Sequence, residues 1–312
     1  VRTGLKNQYL SDDYMALVKD CVEKAKQNEM LAWLYDEDRW PSGAAGGMVT
    51  KDPRYRARAL YFTNDETDAS NLADGDKLLA CYDVSLGADG TLQSYRRIEP
   101  DEKADGKKWF ALLKISTPSS WYNGQTYADT LNKEAIEQFI KVTHERYKET
   151  VGNAFGDTVP AIFTDEPQFT RKTTLDHSDP QGTAWVRLPW TDKVPALYKD
   201  AYGEDLLASL PELFWELPDG KISVVRYHYH DFIAELFAQS FADTVGGWCK
   251  QNGIALTGHM MEEPTLTSQS AALGEAMRSY RSFGLPGIDM LCNNHEFTTA
   301  KQAQSAAHQF GY

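Results

Sequence analysis

The chain has 312 residues, 42% hydrophobic and 12% aromatic, enough to bury the core of one large domain. A formal charge of −13 argues against nucleic acid or an anionic membrane as the main partner. No apolar run approaches the roughly 18 residues that a membrane helix needs. The amino end, Val1-Arg2-Thr3-Gly4, lacks both an initiator Met and the apolar centre of a signal peptide. It reads as the inside of a longer polypeptide with further domains. Cys21, Cys81, Cys249 and Cys292 are scattered, without a C-x-x-C pair, and read as buried thiols. They favour a cytoplasmic setting, while the missing amino terminus leaves a secreted or periplasmic one open.

Residues 11–27 read as a helix, with Ser11 or Asp12 as cap and a stripe of Tyr14, Leu17, Val18, Cys21 and Ala25. A strand at 31–35 follows and ends in Asp36-Glu37-Asp38, before the glycine-rich turn 41–47. From 55 to 109 the pattern changes to runs at 57–63, 77–86 and 92–98, divided by turns such as Ala88-Asp89-Gly90. This predicts a β insertion, with a run at 110–115 returning to the main sheet. Asn132 caps a helix at 133–150 that carries Ile136, Phe139, Ile140, Thr143 and Tyr147 on one face. The strand 161–165 ends in Asp165-Glu166-Pro167. Residues 168–192 lack periodicity and read as a loop insertion. Helices near 194–202 and 206–215 precede a long helical stretch at 221–251. A strand at 254–258 runs into His259 and Glu262-Glu263-Pro264, and one at 287–291 runs into Cys292-Asn293-Asn294. Helices at 268–283 and 298–310 complete the chain.

Strands alternating with helices predict an α/β fold with a parallel sheet. Carboxylates, histidine and amides at several strand ends predict one shared site at the mouth of a barrel. The parallel set of 31–35, 110–115, 161–165, 254–258 and 287–291 has five members, where a closed (β/α)8 TIM-type barrel has eight. The reading is therefore an incomplete barrel spanning 1–312 as a single catalytic domain. An open doubly wound sheet would carry a glycine-rich phosphate fingerprint, which is missing.

Paired carboxylates across a scissile bond are the machinery of glycoside hydrolysis. Glu166 is the expected proton donor, because burial at the end of an apolar strand and the neighbouring Asp165 both raise a carboxyl pKa. Strand alternation predicts that only one of Asp165 and Glu166 faces the cleft. Glu262 and Glu263 are the candidates for the second carboxylate. Asp36, Glu37, Asp165, His259 and Asn293 are expected to hold substrate. Trp40 and Trp121, in loop contexts, would offer flat apolar faces to a sugar ring. The helical Tyr227-His228-Tyr229-His230 run puts its histidines on different faces and reads as structural. No metal site is assigned, since H-E-x-x-H and histidine pairs at strand ends are missing.

The stretch from Leu31-Ala32-Trp33-Leu34-Tyr35-Asp36-Glu37 through Trp40-Pro41-Ser42-Gly43 to Gly46-Gly47 resembles a segment of bacterial glycoside hydrolases similar to family 106, the α-L-rhamnosidase-like proteins. Thr164-Asp165-Glu166-Pro167, Leu256-Thr257-Gly258-His259 and Tyr127-Ala128-Asp129-Thr130-Leu131-Asn132 resemble the same group. The resemblance implies a (β/α)8 barrel, a carbohydrate substrate, polysaccharide degradation and calcium beside the sugar. Thr-Asp-Glu-Pro also resembles the Asn-Glu-Pro strand end of the large retaining barrel clan, with Asp165 in place of Asn. In that numbering of strands the clan's nucleophile would fall beyond Tyr312. Two other functions stay open on sequence: a non-catalytic carbohydrate-binding or scaffold barrel, and a metal-dependent hydrolase.

Overall fold

The computed structural model describes residues 6–175, 182–290 and 297–311. Its strands are β1 (Leu34–Tyr35), β2 (Arg58–Thr63), β3 (Lys77–Leu86), β4 (Leu92–Ile98), β5 (Lys107–Ile115), β6 (Ala161–Asp165), β7 (Trp185–Pro189), β8 (Ala255–His259) and β9 (Leu285–Pro286). The chain divides into two compact units. The first comprises Val1–Ala57, Thr117–Phe169 and Glu235–Tyr312, and the second comprises Arg58–Ser116 and Thr170–Ala234.

The first unit holds a parallel sheet in the order β1-β6-β8-β9. Ile162 and Leu256 on its central strands are 0% and 1% exposed, each contributing about 2 kcal/mol by burial. The expected face of the 133–150 segment is buried throughout, although the helix breaks at Thr143 into Lys133–Val142 and His144–Val151. Asn132 caps it by accepting from the Glu134 N–H. In the first helix, Asp12–Gln27, the buried residues are Met15 and Val22, while Leu17 and Cys21 face solvent. The stripe is thus rotated from the expected one, and Cys21 is not a buried thiol.

Gly258 permits the close approach of β6 and β8. Its φ is +128°, and a Cβ there would collide with the Thr164 carbonyl oxygen. One layer further, a Cβ on Gly287 would lie 2.5 Å from the Gly258 carbonyl oxygen. Two glycines therefore let three strand ends draw together.

The second unit is an antiparallel sheet in the order β4-β3-β5-β2-β7. The run at 110–115 belongs here, between β3 and β2, and not to the parallel sheet. Both faces of β5 are covered, so it reads as apolar as a buried parallel strand. Phe110 and Leu112 pack with Cys81 and Ile98, while Trp109 stacks on Phe62 at 5.0 Å and meets Trp215 edge-on. The Asp83 carboxylate fixes the turn before β5 by accepting from the Asp105 and Gly106 N–H groups. Within the expected loop 168–192, β7 pairs with β2 and buries Val186 and Leu188.

The fourth parallel strand also differs. It is the two-residue β9 at 285–286, and residues 287–290 carry no ladder. Among the described residues the fold is mixed α/β, with one parallel and one antiparallel sheet and no closed barrel. No described helix is long and apolar enough to cross a membrane.

Candidate functional site

The C-terminal ends of β6 and β8 stand side by side, with Asp165 opposite His259 in the register. His259 Nε2 lies 3.1 Å from Asp165 Oδ1. From β1, Tyr35 donates its hydroxyl to Asp165 Oδ2 at 2.6 Å. Burial pushes Asp165 up, but the bonds from His259 and Tyr35 outweigh it and hold the carboxyl below its usual range. Burial likewise pushes His259 down. The bond to Asp165 and the charges of Glu263 and Glu166 reverse that, so the imidazole keeps its proton to higher pH than usual.

Glu166 follows with φ +46°, in the left-handed region that a β-carbon disfavours. Its N–H still bonds the His259 carbonyl at 3.2 Å. Through this left-handed turn Glu166 also comes within 4.8 Å of His259, so Asp165 and Glu166 both lie beside the imidazole. One carboxylate oxygen of Glu166, one ring nitrogen of His259 and one carboxylate oxygen of Asp289 lie within 4.8 Å of one another. Burial raises the Glu166 pKa, opposed by His259 and reinforced by Asp165, Asp289 and Glu263. A half-buried carboxyl whose pKa is raised beside an ion pair is placed to donate a proton.

The remaining expected residues separate into two groups. Asp36 and Glu37 are 0% and 1% exposed and face inward. Asp36 Oδ1 accepts from Ser42 Oγ at 2.6 Å, and burial raises its pKa. Glu37 sits in a cradle of five backbone N–H groups, from Asp38, Gly43, Ala44, Ala45 and Gly46, at 2.5 to 3.1 Å. Burial pushes it up to about 7 against those donors. Both carboxylates are committed to the 41–47 turn and do not reach a solvent-borne ligand. That turn is what holds Asp165, because Ser42 Oγ also accepts the Asp165 N–H at 2.8 Å.

Trp40 and Trp121 do come together. Their rings meet edge to face at 6.0 Å, both are close to half exposed, and Trp121 Nε1 donates to the Trp40 carbonyl at 2.7 Å. Arg39 lies over the Trp121 ring. Glu263 is 4% exposed and committed: it accepts from the Met260 N–H, the Tyr280 hydroxyl and the Asp289 N–H. Glu262 stands in the turn after β8 with φ +59° and intermediate exposure. Asn293 lies outside the described residues.

Asp289 is the site residue that the sequence pattern missed. With the strand placed at 287–291, the strand end fell at 292–296. With the strand at 285–286, the residues just beyond its end include Asp289. The Pro286-Gly287 pair, a turn signal that closes a strand, pointed there.

Calcium takes six to eight oxygen ligands. Among the described residues, Glu166, His259 and Asp289 offer two carboxylates and a ring nitrogen, short of the all-oxygen set that calcium takes.

No protein-family model matches the chain, and no curated protein matches it. Among solved structures, the rhamnosidase from Novosphingobium sp. PP1Y is distantly similar, at 20% sequence identity and a TM-score of 0.46 over 72% of this chain. The match covers 21% of that protein, so this chain spans about a fifth of its length.

Proposed function

We propose that this protein is a glycoside hydrolase that cleaves a glycosidic bond in an oligo- or polysaccharide, with Glu166 as proton donor. The observation that carries the reading is the convergence of Glu166, His259 and Asp289 within 4.8 Å at the strand ends. Glu166 is half buried and Asp165 is held by His259 and Tyr35. The two adjacent carboxyls thereby have their pKa values moved in opposite directions, Glu166 up and Asp165 down, which is how acid and base roles are divided in such sites. The half-exposed Trp40–Trp121 pair offers the flat apolar face that the C–H side of a sugar packs on. The sequence resemblance makes an α-L-rhamnoside the first substrate to try.

In the reaction, Glu166 protonates the departing glycosidic oxygen as the bond to the anomeric carbon breaks. Asp165 acts through His259, holding the imidazolium beside the acid. The test is hydrolysis of a panel of aryl glycosides, rhamnosides included, by the protein and by Glu166→Gln. Turnover by the protein, with strong loss in the variant on poor leaving groups, is expected. Sugar binding without turnover in both proteins would favour a non-catalytic carbohydrate-binding module.

A further inference from the structure

We propose that Asp36, His144 and Thr164 enclose a binding site for one internal water molecule, set between the parallel sheet and its helices, behind Asp165. The inference goes beyond the glycoside hydrolase reading and does not depend on it.

Three polar atoms carry it. Asp36 Oδ2, His144 Nε2 and Thr164 Oγ1 have no hydrogen-bond partner among the described residues, and all three residues are 0% exposed. Buried polar atoms are rarely left unpaired, and three together point to a guest that pairs with them. They come from three elements. The β1–β6 register sets Tyr35 opposite Phe163, which brings the next residues, Asp36 and Thr164, side by side on one face of the sheet. Thr164 is close enough to favour the ionised form of Asp36 without completing a hydrogen bond. His144 opens the helix that follows the break at Thr143 and brings Nε2 to 3.9 Å from Asp36 Oδ2. The rings of Phe139 and Trp248 meet the imidazole edge-on at 5.3 and 5.1 Å, so its flanks are apolar.

Hydrogens already spent decide what the guest must offer. The Thr143 hydroxyl donates to the Phe139 carbonyl at 2.7 Å. It therefore accepts from His144 Nδ1, also at 2.7 Å, and Nδ1 carries the ring proton. Burial pushes the His144 pKa down to about 3, so the ring is neutral and Nε2 is an acceptor. A direct bond cannot span the distance to Asp36, but a water about 2.8 Å from each atom can. With Asp36 ionised, the water donates to Oδ2 and Nε2 and accepts from the Thr164 hydroxyl. With Asp36 protonated, it accepts from Oδ2 and still donates to Nε2. Water serves both states. The group of described residues able to hold a metal ion is Glu166, His259 and Asp289, and it includes neither Asp36 nor His144.

The site also backs the end of β6. Ser42 donates its N–H to the Asp165 carbonyl and accepts the Asp165 N–H on Oγ, each at 2.8 Å. Its hydroxyl proton goes to Asp36 Oδ1. By fixing the Asp36 carboxyl, the water steadies the serine that clamps Asp165.

The test is a high-resolution crystal structure of the protein, of Asp36→Asn, of Thr164→Val and of the double variant His144→Phe with Thr164→Val. Oxygen-17 relaxation dispersion of the solvent counts long-lived internal waters, and urea midpoints check folding. Expected is a water about 2.7–3.2 Å from Asp36 Oδ2, His144 Nε2 and Thr164 Oγ1, kept in the neutral Asp36→Asn. The double variant should lose one long-lived water and exchange the Asp165 amide at least about tenfold faster. If it does not fold, Thr164→Val alone should show the water displaced from position 164 or lost. A peak closer than about 2.5 Å to these atoms, absent from Asp36→Asn, would make this a cation site and overturn the proposal. So would no peak at all, or Asp36 and His144 in direct contact below about 3.2 Å. Unchanged exchange at Asp165 after loss of the water would overturn the link to the strand end.

Discussion

His259 Nε2 lies 3.1 Å from Asp165 Oδ1, across paired strand ends whose register places the two residues opposite each other. The pair ties proton balance to folding. His259 has its pKa raised in the folded protein, so its contribution is full below the unfolded value of about 6.5 and fades as pH climbs through the folded value. Asp165 has its pKa lowered, so its contribution is full above about 3.9 and fades as pH drops through the folded value. Replacing His259 by Gln should cost about 2 kcal/mol at pH 6. The gap from the parent should narrow toward pH 9, as pH rises through the folded value of His259. Urea denaturation at the two pH values checks this, and an unchanged gap would speak against a charged His259.

Glu37→Ala should be far more damaging than its distance from the converging carboxylates suggests. The substitution leaves five backbone N–H groups of the 37–46 segment without their acceptor. A loss of about 3–5 kcal/mol is expected. Hydrogen exchange at residues 43–46 should accelerate in the same variant. A loss below about 1 kcal/mol would mean that the turn finds other partners.

Gly258→Ala tests the close approach of β6 and β8. The new methyl group meets the Thr164 carbonyl oxygen, and the φ of +128° is unfavourable for alanine. Destabilisation of about 3 kcal/mol is expected. A melting temperature within a degree or two of the parent would show that the strands separate readily.

Turnover should depend on pH through Glu166. Its pKa is raised, so the proton needed by the leaving group is present at low pH and lost as pH rises through that value. The alkaline limb of kcat should follow this loss for poor leaving groups and flatten for activated aryl glycosides, which leave without protonation. Equal limbs for the two substrate types would point to a different titrating group.

The strands at 161–165 and 255–259 were legible because each is a short apolar run closed by polar residues, and they pair in parallel as expected. The insertion strands at 58–63, 77–86 and 92–98 were legible from their turns. The 110–115 run misled because burial on both faces erases alternation, and alternation is what distinguishes antiparallel from parallel strands in a sequence. At the site, Glu166 and His259 could be found from strand ends. The inward-facing Asp36 and Glu37 could not be separated from them, since an acidic residue after a strand reads the same whether it meets substrate or its own backbone. Asp289 was hidden by a strand whose ladder is only two residues long.

The backbone at Glu166 carries one more implication. A turn with φ near +46° suits glycine or asparagine better than a residue with a long branched-off acid. Glutamate at this position is therefore held against the local preference of the backbone. Replacing Glu166 by Asn or Gly should keep the turn after β6 while removing the carboxyl group, which separates its effect on turnover from any effect on folding.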